Sequence, residues 1–256
     1  MKALDEILQE RTFDREPSYT DRLNICFQPD SFADFQQHQE FGEIFSKFTR
    51  NDRFRGMDVA RLWSLLLNLK QVLSRVEGAV AELGVYKGHS SAVIGHYANK
   101  FGRRMYLLDT FAGFVKEQVE SRLSENAKEA FRDVSLEYAQ QTVGFSEFFE
   151  WIVGPFPESI TPALREEKFC FVSLDCDLYE PILAGLRFFY PRLSPGGLIF
   201  VHDYSSGHWP GATRAMDQFI DESGAGYVLL PDKSGSAVVA RPSAPDRRTS
   251  EIEDQG

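Results

Sequence analysis

Cysteine is scarce in this chain: 256 residues hold three, Cys26, Cys170 and Cys176, and their spacing fits no zinc site. A disulfide framework is excluded as the source of stability, and a reducing cytoplasm is the expected setting. Also lacking is any run of roughly 20 apolar residues able to span a bilayer, so no membrane partner is expected. The opening stretch MKALDEILQERTFDREPSY mixes acids and bases throughout, so no uninterrupted apolar segment marks it for export. Positive charge is in deficit as well, with 28 Lys and Arg against 38 Asp and Glu and a formal net charge of −10. Such a surface repels nucleic acid and anionic lipid, which leaves a small molecule as the expected partner. With 43% hydrophobic residues the chain can bury a large core, and its length suits one α/β domain with appendages.

Residues 1–56 combine charge with many rings, among them Phe27, Phe32, Phe35, Phe41, Phe45, Phe48 and Phe54. That density predicts a helical or irregular aromatic cap, and apolar patches of this kind make a homo-oligomer plausible. Beyond Asp58, a suitable N-cap, Leu62, Leu65, Leu66, Leu69, Val72, Leu73 and Val76 recur at helical spacing until Gly78. From Ala79 onward short apolar runs alternate with helical stretches, the signature of parallel strands joined by crossover helices. Seven runs qualify: AVAELGV, RRMYLLDTF, FEWIVG, FCFVSLDCD, GLIFVHDY, YVLLPD and SAVVARP. They predict a Rossmann-like seven-stranded sheet with helices on both faces, the last two strands being near enough in sequence to pair antiparallel. The domain is expected to span 57–242, with a polar lid insertion at about 115–143 and a disordered tail at 243–256.

Open parallel sheets gather ligands at the carboxyl ends of their strands, where strand order reverses. The first strand runs into Glu82-Leu83-Gly84-Val85-Tyr86-Lys87-Gly88-His89-Ser90-Ser91, an acid followed by a glycine-containing turn that opens a helix. Glycine lets backbone approach a ligand, and a helix start offers unpaired N–H groups, so Glu82, Gly84, Tyr86, Gly88, Ser90 and Ser91 are candidate cofactor contacts. The spacing of Gly84 and Gly88 departs from the dinucleotide fingerprint G-x-G-x-x-G. The second strand ends at Asp109, followed by Thr110, where an acid can accept hydrogen bonds from both hydroxyls of a ribose. Together these residues point to an adenosine-containing cofactor.

The fourth strand ends in Asp175-Cys176-Asp177 and the fifth in His202-Asp203, which brings three acids to one edge of the sheet. Like charges buried together are costly unless a cation joins them, and a hard divalent ion such as Mg²⁺ suits carboxylate oxygens. Asp175, Asp203 and His202 are the candidate ligands. The bland alternative is that these acids cap the helices that follow.

The runs VAELGVYKGHSS, YLLDTFAGF, VGPFPESI, SLDCDLYEP and LSPGGLIFVHDYSSGHWPGATRAMDQF, in this order, resemble the macrocin and novobiocin family of sugar O-methyltransferases. The likeness covers roughly residues 57 to 219. It implies S-adenosylmethionine as donor and Mg²⁺-assisted methylation of a deoxysugar hydroxyl on a glycosylated natural product, as in antibiotic biosynthesis. By the same resemblance Gly84 and Gly88 would face the methionine half of the cofactor and Asp109 its ribose. Asp175 and Asp203 would hold the metal beside the cofactor, Asp177 would be the base, and Met57 would touch the cofactor. The likeness breaks at His202, where family members commonly carry an acid next to the one matching Asp203. Imidazole is a poorer ligand for Mg²⁺, so the expectation divides between a weaker metal and a His202 that acts as a second catalytic base. His208 and Trp209, in the loop that follows, are expected to line the acceptor pocket. Three other classes stay open: a catechol-type or cephalosporin-hydroxylase-like enzyme, a nicotinamide-dependent oxidoreductase, and a non-catalytic cofactor-binding protein.

Overall fold

Helix α1 (Val59–Leu73) carries Leu65, Leu66, Leu69, Val72 and Leu73 on one buried face, as the periodicity requires. It stops at Leu73, short of the predicted Gly78, because the Arg103 guanidinium takes the carbonyls of Leu73 and Val76, each at 3.2 Å. A cation at that end also complements the helix dipole. This computed structural model describes residues 59–243 apart from 122, 231 and 233. The chain divides into two units after Asp52, and all described residues belong to the second. The aromatic segment 1–56, Met57, the Asp58 cap and the tail beyond residue 243 therefore lie outside the described residues, and with them the expectation of self-association.

The further elements follow in order: β1 (Ala79–Leu83), α2 (His89–Lys100), β2 (Met105–Asp109), α3 (Glu125–Lys128), α4 (Leu136–Val143), β3 (Phe149–Val153), α5 (Pro162–Glu166), β4 (Phe169–Leu174), α6 (Tyr179–Phe189), β5 (Leu193–Val201), α7 (Pro210–Ser223), β6 (Tyr227–Leu229) and β7 (Ala237–Ala240). Seven strands form one sheet in the order β3-β2-β1-β4-β5-β7-β6, and β1 to β5 run parallel. Strand β7 is antiparallel to both β5 and β6, the pairing expected for the last two strands.

β1 and β4 are buried at every position, as central strands covered on both faces must be. Period-two alternation sorts their side chains between the faces. Ala79, Ala81 and Leu83 meet Ile182, Leu186 and Phe189 of α6 and Ala212, Ala215 and Met216 of α7 in one core. Glu82, between Ala81 and Leu83, points the other way and meets Ser91 of α2. Each large apolar side chain so buried contributes about 1.5–3 kcal/mol from water exclusion.

Strand order reverses at β1, with β2 on one side and β4 on the other, so the tips of these strands open the crevice that holds ligands in such sheets. The predicted insertion is built on a short 3-10 turn (Lys116–Gln118) with α3 and α4. Among its ties to the rest, Gln118 Nε2 donates to Phe156 O at 3.1 Å, Arg214 pairs with Glu120, and Asp133 accepts from Tyr86 and Lys87. Among the described residues no helix is long and apolar enough to cross a membrane.

Candidate functional site

Glycine is obligatory where β1 leaves the sheet. Gly84 has φ +96°, and a Cβ there would lie 2.1 Å from the Asp175 carbonyl oxygen, so the tips of β1 and β4 touch backbone to backbone. Around this contact lies a cavity of about 400 Å³. Its wall includes Gly84, Tyr86 and Ser90 from the first turn, Asp109 and Thr110 from the second strand, Asp175, Asp177, His202 and Asp203 from the fourth and fifth, and Trp209. Tyr86, Asp177 and Asp203 have φ of 48°, 61° and 58°, left-handed backbone that non-glycine residues seldom adopt. Such conformations gather at functional sites, where the surrounding fold enforces them.

Asp109 is fixed from two directions. Tyr86 N donates to its Oδ2 and Phe111 N to its Oδ1, both at 2.7 Å. Each carboxylate oxygen can accept a second hydrogen bond, so the group is oriented while keeping capacity toward the cavity. Thr110 is held in turn by donating to Gly113 O at 2.7 Å.

Asp175, Asp177 and Asp203 bring one oxygen each to within 4.8 Å of one another. Burial raises all three above the ordinary carboxylate range. For Asp177 and Asp203 their neighbours' negative charge adds to the shift, and Asp203 is pushed up to about 6. Three converging hard oxygen donors that resist ionising together fit a divalent cation, whose charge would relieve their repulsion. The set differs from the predicted one in a single member: Asp177 takes the place of His202.

His202 is the clearest correction. Its Nε2 lies 3.1 Å from Ser173 Oγ and its Nδ1 3.4 Å from Ser236 Oγ, so both ring nitrogens are engaged by buried serines. Buried serines thus face both ring nitrogens, and one edge of the ring borders the cavity. Ser173 also donates to Glu82 Oε1 at 3.1 Å, and Ser91 donates to the other oxygen of Glu82. Glu82 is wholly buried in this row, its carboxyl pushed up to about 8 by burial, and neither it nor Ser91 is part of the cavity wall. The two residues expected to touch the cofactor here brace β1 against α2 and β4. At Gly88 a Cβ would meet the Val143 side chain at 2.7 Å, so this glycine lets α4 pack closely. Met57 lies outside the described residues.

Arg61 was missed. From the first turn of α1 it reaches into the cavity, its Nη1 3.6 Å from Asp175 Oδ2 and its Nη2 bonded to Ser234 Oγ. The signal was available, since Arg61 precedes Leu65 by four residues and so shares the apolar face of the helix, where a charge needs a reason. Also missed were Phe114 and Phe131, which join Trp209 in a mutually packed aromatic wall with ring centroids 5.2–5.9 Å apart. His208 is exposed and does not line this cavity.

A family model described as macrocin-O-methyltransferase (TylF) matches residues 27–227. Among characterised relatives, the 8-demethyl-8-(2,3-dimethoxy-alpha-L-rhamnosyl)-tetracenomycin-C 4'-O-methyltransferase of Streptomyces olivaceus is 25% identical over 142 residues, 51% of this chain and 54% of that protein. The chain thus matches about half the length of that relative. The mycinamicin III 3''-O-methyltransferase of Micromonospora griseorubida is 24% identical over 175 residues, 62% of this chain and 67% of that protein. Of solved structures, the O-methyltransferase NovP superposes with a TM-score of 0.62 at 21% identity, covering 72% of this chain and 80% of its own. The calicheamicin methyltransferase CalS11 also gives 0.62, at 20% identity over 89% of this chain and 99% of its own. At these identities the superpositions establish the sheet and its helices.

Proposed function

Since this chain belongs to the macrocin O-methyltransferase family, we propose that it methylates a sugar hydroxyl of a glycosylated small molecule, with S-adenosylmethionine as donor and a divalent cation, Mg²⁺ by preference. The observation that carries the reading is the convergence of Asp175, Asp177 and Asp203 beside the oriented carboxylate of Asp109 in one cavity. When bound, the donor supplies an electrophilic methyl group and the cation stabilises the deprotonated form of the acceptor.

The protein's own contribution is binding, orientation and proton transfer. Asp109 accepts hydrogen bonds from the ribose hydroxyls, and the turn from Gly84 to Ser90 receives the methionine half. Asp175 and Asp203 would hold the cation. Asp177 is the base that takes the proton of the acceptor hydroxyl: it lies in the cavity wall two residues beyond Asp175, past the end of β4, beside the two acids that would hold the cation. Phe114, Phe131 and Trp209 form the apolar side of the acceptor subsite and, with the lid at 115–143, keep water from the reacting oxygen. A large glycoside needs to insert only its terminal sugar.

The test is methyl transfer to a panel of glycosylated acceptors, with S-adenosylhomocysteine binding followed by calorimetry. Asp177→Asn is expected to lower turnover by about 10²–10⁴-fold, the usual contribution of a general base, while S-adenosylhomocysteine affinity stays as in the wild type. Near-normal turnover of that variant removes Asp177 from the role. Tighter binding of a nicotinamide nucleotide than of S-adenosylhomocysteine overturns the donor.

A further inference from the structure

The acid cluster already has a cation beside it. Arg61 Nη1 lies 3.6 Å from Asp175 Oδ2, and its charge opposes the upward shift of all three carboxyls. Nothing in α1 itself calls for a cation there. The first turn of a helix carries the positive end of the dipole and favours acids, and Arg61 stands in that turn, on the face that otherwise buries leucines. Its other anchor is Ser234, in the segment between β6 and β7. The guanidinium is thus held between a serine on one side and an acid of the cluster on the other.

We propose that Arg61 is the built-in counter-ion of the acid cluster and competes with a divalent cation for Asp175. This rests on the reading of the three acids as a cation site. A divalent ion would bring two positive charges to oxygens that Arg61 now serves with one, and a guanidinium this close to a metal-bound carboxylate is repelled by the ion. Cation binding therefore releases Arg61 from Asp175, and the energy of that release is subtracted from the affinity for the ion. Ser234 sets how firmly the arginine is kept in place.

The experiment is Mn²⁺ titration of the full chain near neutral pH, with free Mn²⁺ read by electron paramagnetic resonance, so that no turnover is needed. Arg61→Met, which keeps length and apolar packing while removing charge, is expected to bind Mn²⁺ tighter than the wild type by about tenfold or more. Ser234→Ala, which leaves both charges present and removes only the serine's hold, is expected to fall between the two. Circular dichroism establishes that each variant is folded; should Arg61→Met not fold, Ser234→Ala decides. Equal or weaker Mn²⁺ binding in the folded variants, with clear binding by the wild type, overturns the competition and leaves the cation site standing. Absence of Mn²⁺ binding in wild type and variants alike overturns both.

Discussion

Glu82 shows how position within a strand outranks residue type. Read along the chain it stands two residues before Gly84 and invites assignment to the cofactor, yet strand alternation turns its carboxyl into the interior, where Ser91 and Ser173 satisfy it. Burial pushes it up to about 8 from an ordinary 4.5. A raised folded-state value means the folded protein keeps a proton that the unfolded chain releases, so this stabilisation is complete below about pH 4.5 and is lost as pH rises through 8. Glu82→Gln removes the titration while keeping an oxygen that accepts from Ser91. Thermal melts at pH 5, 6.5 and 8 should show the variant matching or exceeding the wild type at pH 8 and losing less stability across the range. A gap of about 2–4 °C corresponds to about 1 kcal/mol in a chain of this size. A steeper pH dependence in the variant would sink the assignment. Asp109 and the three clustered acids, by contrast, were legible from sequence because each ends or follows an apolar run, and the end of a strand has one place to go in a parallel sheet. His202 was legible as a strand-end residue but not in its role, since its partners Ser173 and Ser236 come from other strands or strand edges, far away in sequence.

At the scale of elements, hydrophobic periodicity located α1 and all seven strands, because burial on one helical stripe or on both sheet faces writes itself into residue order. Helix ends were less legible: α1 stops where Arg103, thirty residues from Leu73, captures its last carbonyls. The polar insertion was visible as a segment too long for a tight connection, but its ties were not. Asp133 accepts from the Tyr86 hydroxyl at 2.6 Å and pairs with Lys87, linking the insertion to the turn after β1. Asp133 is largely exposed, and Lys87 holds its carboxyl below the usual carboxylate range. Exposed pairs of this kind contribute only about 0–1 kcal/mol. Asp133→Ala is therefore expected to leave the melting temperature nearly unchanged while raising KM for the acceptor about two- to fivefold, with protection from amide exchange reduced in residues 130–135. A large drop in stability with KM unchanged would make this contact part of the scaffold and not of a cover.

At the scale of the whole molecule, the sheet is the rigid body and the cavity lies where its strand order reverses, so ligand and fold stabilise each other. S-adenosylhomocysteine at about 100 times its Kd should stabilise the protein by about 2.7 kcal/mol, a rise of about 5–10 °C in melting temperature. No rise at saturating ligand would place the nucleoside site elsewhere. The sequence by itself determined the fold class, the strand-end acids and the oxygen-rich character of the centre, since these follow from local burial patterns and from chemistry carried by neighbouring residues. Only the tertiary structure decided which acids converge, that Asp177 and not His202 joins Asp175 and Asp203, and that Arg61 reaches them from a helix more than a hundred residues away in sequence. Convergence of that kind depends on where strand tips and helix turns meet in space, and no local pattern along the chain encodes that distance.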